Sequence, residues 1–267
     1  MDRLKALIIL VLLVDVVAVG AIAAMMVGEG NGQKAAEPPV TGVVDAFRLY
    51  TTTGSEAFNG TLVGDVRANE TPGGSIFYFN GSGYVNLSTA LSSLNELKTG
   101  SISLFFRFER SGQNVLPILY IGDRKGENMF IVEIGHRGGG NRRLYVTWVA
   151  DGKPFLCFDS GFNLKPGRWY HLVVVVGKNG NTAYLNGREM RWRHYNFGNE
   201  SIRAFIWDIP KKEAFFIGYG KTADPITSKF LYFKGSVADV RFYTKPLGWN
   251  EIREILGEAR RLILINP

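Results

Sequence analysis

From about residue 43 onward, apolar positions recur at a spacing of two or run unbroken for several residues, and turn residues cut them into short segments. Residues 43–50 and 75–79 read as strands, and residues 101–109 alternate toward their end and are rich in aromatic side chains. Residues 117–122, 129–135, 144–150 and 155–159 continue the series. Residues 171–176 form a continuous apolar run, the pattern of a strand covered on both faces. Asp151-Gly152 and Asn179-Gly180 supply turn residues for which positive φ is cheap. Strands punctuated in this way predict an all-β fold, a two-sheet antiparallel sandwich. Helical spacing returns at the C-terminal end, where Ile252, Ile255 and Leu256 follow Glu251 in the first turn. A short helix is predicted over 249–256, and residues 260–265 either extend it or return as an edge strand.

The amino terminus carries a different pattern. Residues 6–27 are almost wholly apolar, and about 22 residues at ~1.5 Å each span the hydrocarbon core of a bilayer. Arg3 and Lys5 precede the run, whereas Glu29, Lys34 and Glu37 follow it. The bias of positive charge toward the cytoplasm gives a single-pass membrane protein, N-terminus inside and C-terminal domain outside. The expected organisation is a cytoplasmic stub (1–5), a transmembrane signal-anchor helix (6–27), a linker rich in Gly and Pro (28–40) and a β-sandwich domain (41–267). Two rival readings stay open: a cleaved signal peptide ending near Ala21-Ile22-Ala23, and a pilin-like leader cut after Ala6, which would lack its usual glutamate because Val11 stands there. Asp15 lies mid-span, where a lone charge is costly unless protonated or paired. Pairing with a neighbouring helix would make the anchor a homo-oligomer. Asp15→Leu is then expected to preserve insertion and abolish crosslinking between anchors.

Composition refines this picture modestly. A formal net charge of +7 biases the domain toward anionic partners, or simply keeps it soluble. The single cysteine, Cys157, excludes an intrachain disulfide and reads as a small apolar strand residue. A domain of this length buries enough apolar surface to stand without cross-links.

An ordered set of short motifs sharpens the fold. Asn59-Gly60-Thr61-Leu62 precedes Phe79-Asn80-Gly81-Ser82-Gly83-Tyr84-Val85; Trp169-Tyr170-His171 precedes Tyr184-Leu185-Asn186-Gly187; Val240-Arg241-Phe242-Tyr243 and Pro246-Leu247 precede the predicted helix. In this order they resemble the laminin-G-like and pentraxin-like modules of the concanavalin A-like jelly rolls, over about residues 43–258. The resemblance implies a jelly-roll sandwich with a short C-terminal helix, and binding of a glycan or a protein at a surface. It also implies a calcium site, but this chain departs from the pattern. Ala238 replaces the first acid of the pair before the closing strand, leaving Asp239, and the early acidic loop reads Thr51-Thr52-Thr53-Gly54. Calcium needs six to eight oxygen ligands with several carboxylates. Asp224 and Asp239 remain for a weaker site, each more simply a turn or strand-end residue, so no cofactor is expected.

Catalytic chemistry finds little support. A glycoside hydrolase needs two carboxylates at a set separation. The Glu-x-Asp-x-x-Glu string of glucanases with this architecture is absent, and Glu133 stands alone on its segment. His136, His171 and His194 lack the spacing of a zinc hydrolase. The chain is therefore expected not to be an enzyme, nor is nucleic acid an expected partner. The connection after Asn186-Gly187 is long and carries Arg191, Trp192, Arg193, Tyr195 and Trp207. Aromatic faces stack on sugars and arginines pair with carboxylate or sulfate, so these five are the expected ligand-binding residues for an acidic glycan. The plain alternative is an extra hairpin covering the sandwich edge. The sequons at Asn59, Asn80, Asn86 and Asn199 are expected glycosylation sites on an exported domain; a fifth, at Asn69, is followed closely by Pro72. Two rival functions are a structural surface component built on the same fold and a hydrolase.

Overall fold

The computed structural model describes residues 40–71, 74–136, 142–193, 202–223 and 229–265. The expected membrane helix and all of the linker but Val40 lie outside the described residues. Among the described residues no helix is long and apolar enough to cross a membrane.

Three long strands open the domain: β1 (Val40–Tyr50), β2 (Ser55–Thr71) and β3 (Gly74–Asn86). A 3-10 turn (Ser88–Ala90) and a single helical turn, α1 (Leu91–Leu94), lead to β4 (Gly100–Phe108), β5 (Leu116–Gly122), β6 (Met129–His136), β7 (Arg142–Ala150) and β8 (Lys153–Asp159). Next come β9 (Trp169–Gly177), β10 (Gly180–Leu185) and two short edge pieces, β11 (Arg188–Glu189) and β12 (Trp192–Arg193). The chain closes with β13 (Ala214–Ile217), β14 (Tyr219–Lys221), β15 (Phe230–Tyr232), β16 (Lys234–Tyr243) and α2 (Trp249–Ile265). Residues 260–265 thus extend the helix, which is longer than the sequence reading.

The pairing order β11-β10-β9-β4-β16-β1-β2-β3-β13-β5-β6-β7-β8-β12 folds into two layers because the β2–β3 hairpin serves both. Its tip half pairs through Ile76–Asn80 with β16, whereas its base pairs through Val85 and Asn86 with β13; a register shift at Asp65/Val66 marks the bend. Leu104 and Phe106 of β4 and Leu172 and Val174 of β9 meet Val132 and Ile134 of β6 and Leu144 and Val146 of β7 in one core cluster. The alternation read in residues 101–109 is this inward and outward facing. Met190, between β11 and β12, is buried in the same core where the chain steps from one layer's edge to the other's.

Each outer face carries its own cover. On the layer containing β9 and β4, Ile252 and Ile255 of α2 pack with Leu247 over Phe105, Val173, Ala238 and Tyr243. Glu251 sets the helix start: its Oε2 accepts from Gly248 N at 2.8 Å and its Oε1 pairs with Lys245 Nζ at 2.6 Å, which lowers its pKa. On the opposite layer, the β14–β15 hairpin covers Tyr84, Tyr120 and Phe216.

The turn after β5 shows how a polar side chain replaces strand pairing. Asp123 Oδ1 accepts from the backbone of Lys125, Gly126 and Glu127 at 2.8, 2.6 and 3.1 Å, and Oδ2 accepts from Asn128 N and Nδ2, both at 2.9 Å. Burial alone would raise this carboxyl's pKa; the Asn128 side chain and the backbone donors more than offset it and hold it below the usual range. A lowered folded pKa gives stability that is complete above the unfolded value of about 3.9 and lost as pH falls through the folded value. Asp123→Asn is expected to be less stable than wild type at pH 7 and to lose part of that difference below about pH 3. Urea unfolding at both pH values checks this; an equal difference at both would show that the charge is not involved.

Candidate functional site

The hairpin joining β9 to β10 and β11 is fixed by Asn186 and Gly187. Both take positive φ, 52° and 74°, the type I′ turn that suits a two-residue hairpin. Asn186 also grips β9: His171 N donates to its Oδ1 at 2.8 Å, and Asn186 N donates to His171 O at 2.8 Å. His171 is buried, with Nε2 2.8 Å from Ser103 Oγ and its ring stacked on Phe105 at 4.2 Å, so it is a core residue of its strand.

Against this hairpin lies a solvent-open cleft of about 670 Å³ lined by Tyr184, Gly187, Arg188, Glu189, Arg191 and Trp249. Tyr184 projects from the outward face of β10, and its ring centre is 5.9 Å from that of Trp249 at 46°, which makes a notch rather than a flat platform. Trp249 is half exposed because it opens α2 at the rim of the covered face. Burial first, then the charge of Glu189, raises the Tyr184 pKa and keeps its hydroxyl a donor. Arg191 is 82% exposed and meets Glu189 at 3.6 Å; an exposed pair of this kind is worth little. Its guanidinium can therefore exchange that partner for a ligand carboxylate or sulfate at small cost. A second cleft, about 550 Å³, lies against Thr182, two residues along the same face of β10, with Val175 and Pro246 in its wall.

The five residues singled out in the sequence are not brought together. Arg191 lines the cleft. Trp192 and Arg193 form β12, registered against Asp159 and Phe158 at the edge of the other layer. Trp207 lies elsewhere: Lys98 Nζ sits 4.3 Å from its ring centre, and its backbone N–H donates to Leu97 O at 2.9 Å. Tyr195 lies outside the described residues. Phe205, an aromatic of the same connection, is wholly buried in the core. Of the sequon asparagines, Asn59 and Asn80 are exposed and Asn86 is half-buried; Asn199 lies outside the described residues. At both Asn80 and Asn86 the side-chain oxygen accepts from the N–H and hydroxyl of the serine two residues on, so these sequons also serve as local turns.

The sequence reading missed a polar row on the outer face of the β6–β7–β8 layer. Glu133 pairs in register with Tyr145, Tyr145 with Asp159, and Asp159 with Trp192. Two carboxylates thus share one face, two strands and roughly 10 Å apart at Cα. Both are buried, and Asp159 accepts from Arg143 Nη1 at 3.0 Å and Gly161 N at 2.7 Å. A hydrolase needs its acid and its nucleophile or base open to substrate. The signal was slight: alternate polar positions on β7 (Arg143, Tyr145, Thr147), with a single acid on β6 and one at the end of β8.

Asp239 does not fit a calcium site. Its Oδ1 accepts from Arg241 Nε at 2.6 Å, both side chains are buried beneath α2, and Arg241 Nη1 reaches Glu258 at 3.5 Å. Burial pushes the Asp239 carboxyl upward while Arg241 opposes it, and Asp239 in turn holds the proton on Arg241. Asp224 lies outside the described residues. Among the described residues no group of three or more carboxylates, histidines or cysteines could hold a metal ion.

A two-layer β-sandwich with a C-terminal helix on one face and an aromatic, arginine-lined cleft at its edge defines a lectin-like jelly roll. The chain belongs to the concanavalin A-like lectin/glucanase superfamily, whose sequence model matches residues 79–253. Among curated proteins none matches the chain in sequence. Solved structures with a similar chain path include the CBM40 of Ruminococcus gnavus IT-sialidase bound to α2,3-sialyllactose, at 15% identity and TM-score 0.49, covering 72% of this chain and 97% of that one. Domain 4 of an extracellular arabinanase from Geobacillus stearothermophilus, in complex with arabinotriose, is 17% identical at TM-score 0.48, covering 74% and 87%. A heptameric SAP-like pentraxin of Limulus polyphemus is 16% identical at TM-score 0.41, covering 60% and 70%.

Proposed function

We propose that this chain is a membrane-tethered, outward-facing binding module that takes a carboxylated or sulfated glycan in the cleft between the β10–β11 hairpin and α2. The observation that carries this reading is the Tyr184–Trp249 notch flanked by Arg188 and Arg191. The tilted rings offer apolar faces to a sugar, and the arginines offer forked donors to its acid group. The net charge of +7 favours an anionic ligand, and the apolar run at 6–27 behind Arg3 and Lys5 supports the tether. The reading is of binding without turnover: the carboxylates Glu133 and Asp159 that share one face are buried, and Asp159 is ion-paired.

A glycan array with the full chain in detergent tests it. A charge-assisted hydrogen bond contributes about 1.5–3 kcal/mol, so Arg191→Ala is expected to weaken binding roughly 10- to 100-fold. Trp249→Ala should do the same, with melting temperature nearly unchanged in both. Trp192→Ala and Arg193→Ala report on the other layer's edge, Trp207→Ala on the Lys98 contact, and Tyr195→Ala on the connection outside the described residues. Binding lost with these and kept with Arg191→Ala and Trp249→Ala would move the ligand away from the cleft. Self-assembly with no glycan signal would point instead to a structural surface component.

A further inference from the structure

The helix-bearing layer carries a second feature that depends on the register of strands far apart in sequence. Arg67 of β2 pairs with Tyr78 of β3, Tyr78 with Ser236 of β16, Ser236 with Arg107 of β4, and Arg107 with Trp169 of β9. Residues in register on neighbouring strands point to the same side, so these five form one row. Four inter-strand steps make the row roughly 19 Å long. Arg67 is exposed, and Tyr78, Arg107 and Trp169 are half-buried. The Arg107 guanidinium carbon lies 5.4 Å from the Trp169 ring centre, and its Nη2 is 3.4 Å from Ser236 Oγ, so the guanidinium lies between those two neighbours.

The row is electrostatically one-sided. Neither Arg67 nor Arg107 makes an ion pair among the described residues. The Trp169 indole N–H is buried and has no acceptor among them. The next row outward adds Lys234 and two carboxylates, Glu109 and Asp65, the second of which accepts from the Asn80 side chain opposite Lys234. Two arginines without ion pairs, their backbone positions about 14 Å apart and aromatic rings beside them, suit a linear ligand with repeated negative charge and apolar ring faces. We propose that this row is a second binding strip, separate from the cleft, for an extended sulfated or carboxylated polysaccharide. The chain lies across β2, β3, β16, β4 and β9, its acid groups on Arg67 and Arg107 and its sugar faces on Tyr78 and Trp169.

Retention on immobilised heparin, with the full chain in nanodiscs of zwitterionic lipid, tests the strip. Arg67→Gln with Arg107→Gln is expected to lower affinity at least 30-fold and to flatten the salt dependence by about two ionic contacts. Trp169→Phe, which keeps a ring and removes the N–H, should weaken binding a few-fold with the salt dependence unchanged. Lys125→Gln with Lys153→Gln removes two exposed cations outside the row and should change affinity less than 3-fold. Should Arg107→Gln reduce folding, Arg67→Gln alone, on an exposed strand position, must still weaken binding about 5-fold. Equal losses from the Lys125 and Lys153 changes would overturn the proposal, because charge alone would then suffice. Loss with Trp249→Ala and not with the row variants would place the polyanion in the cleft, ending this proposal and leaving the first. Tighter binding of a single-stranded oligonucleotide than of heparin would also overturn it.

Discussion

Replacing Asp239 by Ala is expected to destabilise the domain by about 3–5 kcal/mol, a fall of roughly 10 °C in melting temperature. The carboxylate is the short-range partner of Arg241, and both are about nine-tenths buried on the face that α2 covers. Without it the guanidinium keeps Glu258, half exposed and 3.5 Å away, a hydrogen bond with the Tyr243 side chain and its contact with the Tyr50 ring. A buried charge left short of its partner costs more than the pair ever contributed. Asp239 also sits at φ 50°, where the β16–β4 register shifts, and Ala tolerates this conformation less well than Asp. Three variants separate the effects. Asp239→Asn keeps the left-handed preference and loses the charge, so it should cost less than Ala. Asp239→Gly with Arg241→Met removes both the strain and the stranded charge and should recover most of the loss. Circular-dichroism melts measure this; a change below about 1 kcal/mol for Asp239→Ala would show that the pair does not hold the helix face together.

What was legible in the sequence follows how local each signal is. The strands over 101–108, 129–136 and 144–150 were readable because two covered faces leave a nearly unbroken apolar run on a single segment. The 17-residue β2 was seen only at Asn59-Gly60-Thr61-Leu62, because its ends are exposed and read as polar loop. Asn179-Gly180 marks the tight β9–β10 turn, where Gly180 takes φ 110°; the turn with two positive φ values lies at the other end of β10, Asn186-Gly187. The aromatic, basic connection after Gly187 was visible as composition. Its division between two layer edges was not, since that depends on Met190 inserting into the core between β11 and β12. Tyr184 and Trp249 are 65 positions apart and meet only because α2 crosses the outer face. The Arg67–Trp169 row was likewise invisible, because register between five strands is a tertiary property. Asp239 was legible in principle: an acid two residues before an arginine on a strand places both on one side.

Gly235→Ala has little room to relax, and it is expected to cost more than about 3 kcal/mol or to prevent soluble folding. A Cβ there would stand 2.1 Å from the Arg107 carbonyl oxygen and 2.8 Å from Phe108 Cα, with φ at +147°. Those neighbours are backbone, so no rotamer change relieves the overlap. Gly235 is held between Phe79 of β3 and Phe108 of β4, so moving away from one strand drives it into the other. By contrast, a Cβ at Gly112 meets nothing within 4 Å, and Gly112→Ala should lie within about 0.5 kcal/mol of wild type. Gly235 directly precedes Ser236 in the Arg67–Trp169 row, so any Gly235→Ala protein that does fold must displace Ser236 from Arg107. Such protein should hold heparin more weakly while glycan binding in the cleft, built on β10 and α2, is retained. Chemical unfolding and the two binding measurements on the same preparation check both halves. A Gly235→Ala domain that melts within about 2 °C of wild type would mean that β4 and β16 do not approach as closely as the Gly235–Arg107 contact requires.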